Sequence, residues 1–119
     1  MSGPQDAAVD EGARRVLEDF LGFASMADRL VARGREAYDG DEMLRLAAEA
    51  IVVRIGEAVS RLGDEVVERH PRVRWRPMRG MRNLVAHEYG AVDHGILWNA
   101  LERDLPREAA EIRRILAAR

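Results

Sequence analysis

Apolar positions along this chain recur at threes and fours, the period of a helix rather than a strand. Val16, Phe20, Phe23, Ala27 and Leu30 predict a first helix from about Val9 to Arg33. Gly34 ends it, and Tyr38-Asp39-Gly40-Asp41 reads as a turn. A second helix is capped by Asp39 or Asp41 and continues to about Leu62. Its inner stripe is Leu44, Ala47, Ala48, Ile51, Ile55, Ala58, Val59 and Leu62, and a second set, Met43, Leu46, Ala50 and Val53, widens it. So wide a stripe predicts burial on two sides, against the domain's own core and against a partner. Gly63 closes this helix, and residues 64–70 fit one short turn before Pro71. After the basic linker 72–77, Pro77 suits the first turn of a third helix running to about Tyr89, with Gly90 just beyond. Asp93 reads as the cap of a fourth helix, and Pro106 kinks it or opens a fifth that ends near Ala117. With no alternating pattern and no repeat, the expected fold is all-α, a four- to five-helix antiparallel bundle. Residues 1–8 are expected to be a flexible lead-in, and residues 9–119 one domain.

Composition narrows the function classes. The chain has no cysteine, which removes disulfides, thiolate metal sites and a cysteine nucleophile. No apolar run approaches the roughly 18 residues of a membrane span. The first residues, small and acidic, lack the pattern of a signal peptide. A cytoplasmic protein without membrane contact is the expectation. The net charge of −2 does not point to nucleic acid, but its distribution does. Between Arg69 and His87 stand Arg69, Arg72, Arg74, Arg76, Arg79 and Arg82 and no acid, whereas fifteen of the 21 acidic residues precede Arg69. One basic segment on an acidic protein can attract phosphate locally. All 19 basic residues are arginine, whose fork suits bidentate phosphate contacts; codon preference in a GC-rich genome accounts for the bias equally well.

The stretch RGMRNLVAHEYG, residues 79–90, carries unusually varied polar chemistry for a short helix. His87 can transfer protons near neutral pH. Arg82 offers a permanent cation that fits a phosphate and stabilises developing charge. Asn83, four residues before His87, shares a face with it and can orient the imidazole or contact a ribose or phosphate oxygen. Tyr89 supplies a hydroxyl or a stacking surface, and Arg74, Arg76 and Arg79 are candidate phosphate contacts. Arginine plus histidine without a carboxylate cluster suits phosphodiester cleavage without metal, because the 2′-OH of RNA is itself the nucleophile. No metal-ligand spacing, glycine-rich phosphate loop or convincing serine nucleophile is present, and no cofactor is expected. His70 reads as a loop residue, His94 as the first turn of a helix, and Trp75 and Trp98 as packing anchors. An ordinary solvated helix would also carry an R-x4-H-x-Y pattern by chance.

Several pieces in order lift the pattern above chance: VVRIGEAVSRL (52–62), ERHPRVRW (68–75), MRNLVAHEYG (81–90) and VDHGILWNALERDLP (92–106). Together they make the chain resemble the HepT-like branch of the HEPN superfamily, the toxin half of MNT–HepT toxin–antitoxin systems, from about Val16 to Leu116. The family's R-x4–6-H signature falls on Arg82, Asn83 and His87, and its H-x-Y extension on Tyr89. The resemblance implies a homodimer whose two R-x4-H helices share one cleft, and a metal-independent ribonuclease acting on RNA. It also implies a minimal nucleotidyltransferase antitoxin as partner, which AMPylates Tyr89. Two other readings stay open: a non-catalytic nucleotide- or substrate-binding partner subunit of the transferase, and a purely structural helical dimer.

Overall fold

The computed structural model describes residues 10–85 and 92–118. All regular structure among them is helical, as the spacing predicts. In chain order the elements are α1 (Glu11–Val31), α2 (Arg35–Gly40), α3 (Glu42–Ser60), α4 (Asp64–Arg69) and α5 (Trp75–Arg79). A 3-10 turn (Gly80–Leu84) follows, then α6 (His94–Asn99), a π segment (Ala100–Asp104) and α7 (Leu105–Ala117). No helix among the described residues is long and apolar enough to cross a membrane.

Two long helices form the frame. Asp10 caps α1 by accepting from the Ala13 N–H at 2.7 Å, and Asp41 caps α3 by accepting from the Met43 N–H at 2.9 Å. Each carboxylate satisfies a backbone donor that the first turn leaves open. The helices run antiparallel: Asp19 near the start of α1 pairs with Arg61 beyond the end of α3. Leu17, Phe20, Ala24, Ala27 and Leu30 of α1 are buried, while the expected Val16 and Phe23 are only partly so. The core stripe rotates because α1 packs on α3 and on α7, not on one neighbour. On α3 the expected Ala47 is exposed and Leu44 only half-buried, while Val52 and Gly56 join the buried set, because the core flank turns toward α5, the 3-10 turn and α6. The outer set does not enter the core: Met43 is 74% exposed and Leu46 52% exposed.

Two further boundaries differ from the sequence reading. Tyr38-Asp39-Gly40 belongs to the short helix α2 rather than a turn. Gly34, at φ +92°, makes the reversal ahead of it, in a conformation open to glycine at no steric cost. Burial of Tyr38 then holds α2: its ring lies 5.0 Å from that of Trp98, and its hydroxyl donates to the His94 carbonyl at 2.7 Å. Secondly, the third helix does not run unbroken from Pro77 to Tyr89. α5 ends at Arg79 and tightens into the 3-10 turn, and residues 86–91 lie outside the described residues, as do residues 1–9. Pro106 opens the last helix, the second of the two expected alternatives. It sits in the first turn of α7, where its missing N–H costs least, and the wider π segment stands immediately before it. Asp93 caps α6 as expected, accepting from the Gly95 and Ile96 N–H groups at 3.0 and 3.1 Å. Trp75 and Trp98 are both buried, in keeping with packing roles.

Candidate functional site

The basic segment reaches the frame through a few specific ties. Trp75 is buried and donates its indole N–H to the His70 carbonyl at 2.8 Å. The Arg74 N–H donates to Oε1 of Glu108 at 2.9 Å, and Arg107 Nε donates to Oε2 of the same carboxylate at 3.3 Å. Glu108 is 2% exposed, and an acid so deeply buried needs such partners to remain tolerable. These bonds fix the linker against α7 and carry it to the 3-10 turn.

Gly56 sets where that turn lies. A Cβ at this position would stand 3.2 Å from the Arg82 nitrogen, 3.3 Å from the Arg79 oxygen and 3.4 Å from the Arg82 Cβ. The turn therefore rests directly on the backbone of α3, which only the missing side chain permits. In a 3-10 turn residues three apart eclipse one another, so Met81 and Leu84 point one way and Arg82 and Asn83 diverge from it. The structure agrees: Met81 is buried and Leu84 partly so, whereas Arg82 and Asn83 are exposed. Arg82 makes no ion pair among the described residues. On the Met81–Leu84 side a cleft of about 310 Å³ opens toward the π segment, with Arg74 and Arg107 at its rim.

The other candidates separate. Arg74 and Arg76 are exposed and keep their guanidinium groups in solvent. Arg79 is half-buried, with one Nη donating to the Leu62 carbonyl at 3.5 Å and its Nε enclosed without a partner. It ties the turn to the end of α3 more than it offers a charge to a ligand. His87 and Tyr89 lie outside the described residues, so the full set of Arg82, Asn83, His87 and Tyr89 is joined here by sequence alone. Among the described residues no three His, Asp or Glu side chains gather as a metal-ligand group.

Sequence reasoning missed several contributors. Gly56 had a visible signal, a glycine inside a strongly helical apolar run, where it weakens the helix unless something approaches closely. Glu108 and the His94–Glu49 contact had none. His94 Nε2 lies 2.7 Å from Glu49 Oε2, a pairing across 45 residues that no local spacing reveals. It holds the start of α6, just after the undescribed stretch, to α3. His70 also departs from an ordinary loop histidine. Its Nε2 is enclosed without a partner, and burial, then the nearby Arg69 charge, lower its pKa from the usual 6.5.

Comparison with known proteins converges on one group. The chain is 31% identical over 91 residues to a protein named "Putative RNase" from Caldanaerobacter subterraneus subsp. tengcongensis, covering 76% of this chain and 81% of the relative. A Methanocaldococcus jannaschii protein of the same designation is 32% identical over 72 residues, 60% of this chain and 66% of the relative. The "Probable ribonuclease HepT" of Thermococcus cleftensis is 32% identical over 66 residues, 56% of this chain and 60% of the relative. No solved structure matches. The family model described as "HepT-like: Ribonuclease HepT-like" matches residues 18–115, a span that includes two-thirds of α1, all of α3, the turn seated on Gly56 and the whole R-x4-H-x-Y stretch, and the chain belongs to that family.

Proposed function

We propose that the protein is a metal-independent endoribonuclease, the toxin of a toxin–antitoxin pair. The observation that supports this best is the exposed Arg82–Asn83 pair, presented by a turn locked onto α3 through Gly56, in a chain of a ribonuclease family. In this reading Arg82 grips the scissile phosphate with its fork and stabilises the extra negative charge as phosphorus becomes five-coordinate. His87 takes the proton of the adjacent 2′-OH, whose oxygen then attacks phosphorus. The P–O5′ bond breaks, the leaving oxygen takes a proton from water, and the products are a 2′,3′-cyclic phosphate and a 5′-hydroxyl; the His87 imidazolium returns its proton to the hydroxide left behind. Asn83 orients the imidazole or holds a phosphate oxygen. Arg74 and Arg76, and Arg79 to a lesser degree, attract the flanking phosphates. Two copies pair so that both R-x4-H stretches line one cleft.

The same stretch carries its off-switch. A minimal nucleotidyltransferase antitoxin transfers AMP from ATP to Tyr89: the phenol oxygen attacks the α-phosphorus and pyrophosphate leaves. The added nucleotide brings negative charge and bulk two residues from His87, where it competes with RNA phosphate for Arg82.

The test is RNA cleavage by purified protein in excess EDTA, wild type against His87→Ala, with intact mass recorded first to exclude AMP on Tyr89. Cleavage leaving cyclic phosphate ends, reduced at least about 100-fold in the variant, is the expected result. An unmodified wild type that cuts none of several RNAs overturns the ribonuclease reading in favour of a non-catalytic partner subunit of the transferase.

A further inference from the structure

A cleft of about 650 Å³ lies away from the proposed site, between α1 and α3. Phe23, Leu30, Leu44 and Ile51 form its apolar floor, and Ala47 and Ala50 on α3 are too short to fill it. Met26, 49% exposed, overhangs one wall. The rim is cationic: Arg29 on α1, Arg33 just past its end, and Arg54 on α3, with no acidic residue among the lining side chains. None of the three makes an ion pair among the described residues, although seven other arginines do.

We infer that this groove docks an acidic amphipathic helix of a partner protein. Phe23 to Val31 of α1 spans about 12 Å, a little over two turns of a docked helix. An apolar stripe at i, i+3 or i+4, and i+7 fills the floor, and carboxylates on its two flanks meet Arg29 and Arg33 on one side and Arg54 on the other. A methionine at the wall adapts to the incoming side chains. A second copy of this chain fits worse. A two-fold contact through the groove gathers six guanidinium groups with no carboxylate among the lining residues. RNA fits worse too, because Phe23 is the one aromatic ring on a floor otherwise made of aliphatic side chains. The inference does not depend on the ribonuclease reading.

The experiment uses the full chain and two fluorescein-labelled synthetic helices, with leucine on one face and either glutamate or lysine on both flanks. Fluorescence anisotropy is expected to show saturable binding of the glutamate helix and at least about tenfold weaker binding of the lysine helix. The Arg29→Glu, Arg33→Glu double variant should reverse that preference, and Ala50→Leu, which fills the groove, should weaken the glutamate helix about tenfold. Equal affinity for the two helices, or binding that none of these variants changes, overturns the inference. So does a wild-type dimer that Ala50→Leu converts to monomer in sedimentation, which assigns the groove to a second copy. Competition for the groove by an RNA oligonucleotide overturns it in favour of nucleic acid. RNA cleavage by the double variant is measured alongside and should equal wild type; a wild type inactive on RNA with the peptide result intact would count against the ribonuclease alone.

Discussion

The α1–α3 pair and the arginine-rich stretch from Arg72 to Leu84 lie side by side, yet different forces hold them. The long helices bury a stripe of fully enclosed side chains, Leu17, Phe20, Val52 and Ile55 among them, and each contact is one of many. The arginine-rich stretch has short helical pieces, and single interactions fix it: the Trp75 indole, the Glu108 carboxylate and the bare backbone at Gly56. Distributed packing makes a rigid frame that tolerates adjustment. Point contacts set the position of a few polar side chains, and one atom too many moves them. A frame of the first kind carrying a segment of the second is what a site on a small helical domain needs.

The largest effect should come from cutting into the frame. Phe20→Ala removes a ring that is 0% exposed. Such truncations cost about 3–5 kcal/mol, a large fraction of the roughly 5–15 kcal/mol that keeps a domain folded. Thermal melting followed by circular dichroism should fall by more than about 10 °C, and any loss of RNA cleavage should track the unfolded fraction. A melting point within a few degrees of wild type would mean that the frame is not the store of stability described here.

Gly56→Ala separates the two regions more sharply. Alanine is the better helix former by about 1 kcal/mol, which favours α3. Its methyl group would nevertheless meet Arg82 and Arg79 backbone atoms at 3.2 and 3.3 Å, and backbone cannot swing aside as a side-chain tip does. The two terms oppose each other, so stability should change by less than about 1 kcal/mol. The turn, however, must lift by a few tenths of an ångström and take Arg82 and Asn83 with it. Small misplacements of positioning groups are costly, and cleavage should drop by about 3- to 30-fold. Full activity in Gly56→Ala would show that the contact between turn and helix does not position Arg82.

That contrast also explains what the sequence made legible. The frame could be read because period alone identifies long amphipathic helices; α1 ends within two residues of expectation at each end, and the Asp41 and Asp93 caps are where they were read. The all-α class followed from the same signal. The short pieces could not be read so closely. Tyr38 looked like part of a turn because its burial depends on Trp98, sixty residues away in the chain. The third helix looked continuous because its apolar spacing persists through Gly80, while the structure changes from α to 3-10 there to lay the turn on α3. Arg82 and Asn83 were recognisable by chemistry, and the structure exposes both. Arg79 was grouped with them by charge, and only the fold shows it bonded to the Leu62 carbonyl.

The smallest effect concerns a contact that flanks both regions, between α2 and α6. Tyr38 joins α2 to the start of α6 through its hydroxyl bond to the His94 carbonyl. Burial raises its pKa from 10.0 to about 12, against the opposing pull of the Arg35 and Arg45 charges. The phenol thus keeps its proton in the folded state at pH values where an unfolded tyrosine has lost it. Above pH 10 the unfolded chain binds fewer protons than the folded one, so stability falls as pH rises and the loss is complete near pH 12. Lysine and cysteine are absent, which leaves the window to the two tyrosines and makes the slope unusually clean. Urea melts at about pH 9, 10 and 11 should show the decline in wild type and in Tyr89→Phe alike. Tyr38→Phe should flatten it, with a loss of about 1 kcal/mol at neutral pH for the missing hydrogen bond. A slope that follows Tyr89 instead would place the alkaline sensitivity in the R-x4-H-x-Y stretch, and the α2–α6 contact would then contribute packing alone.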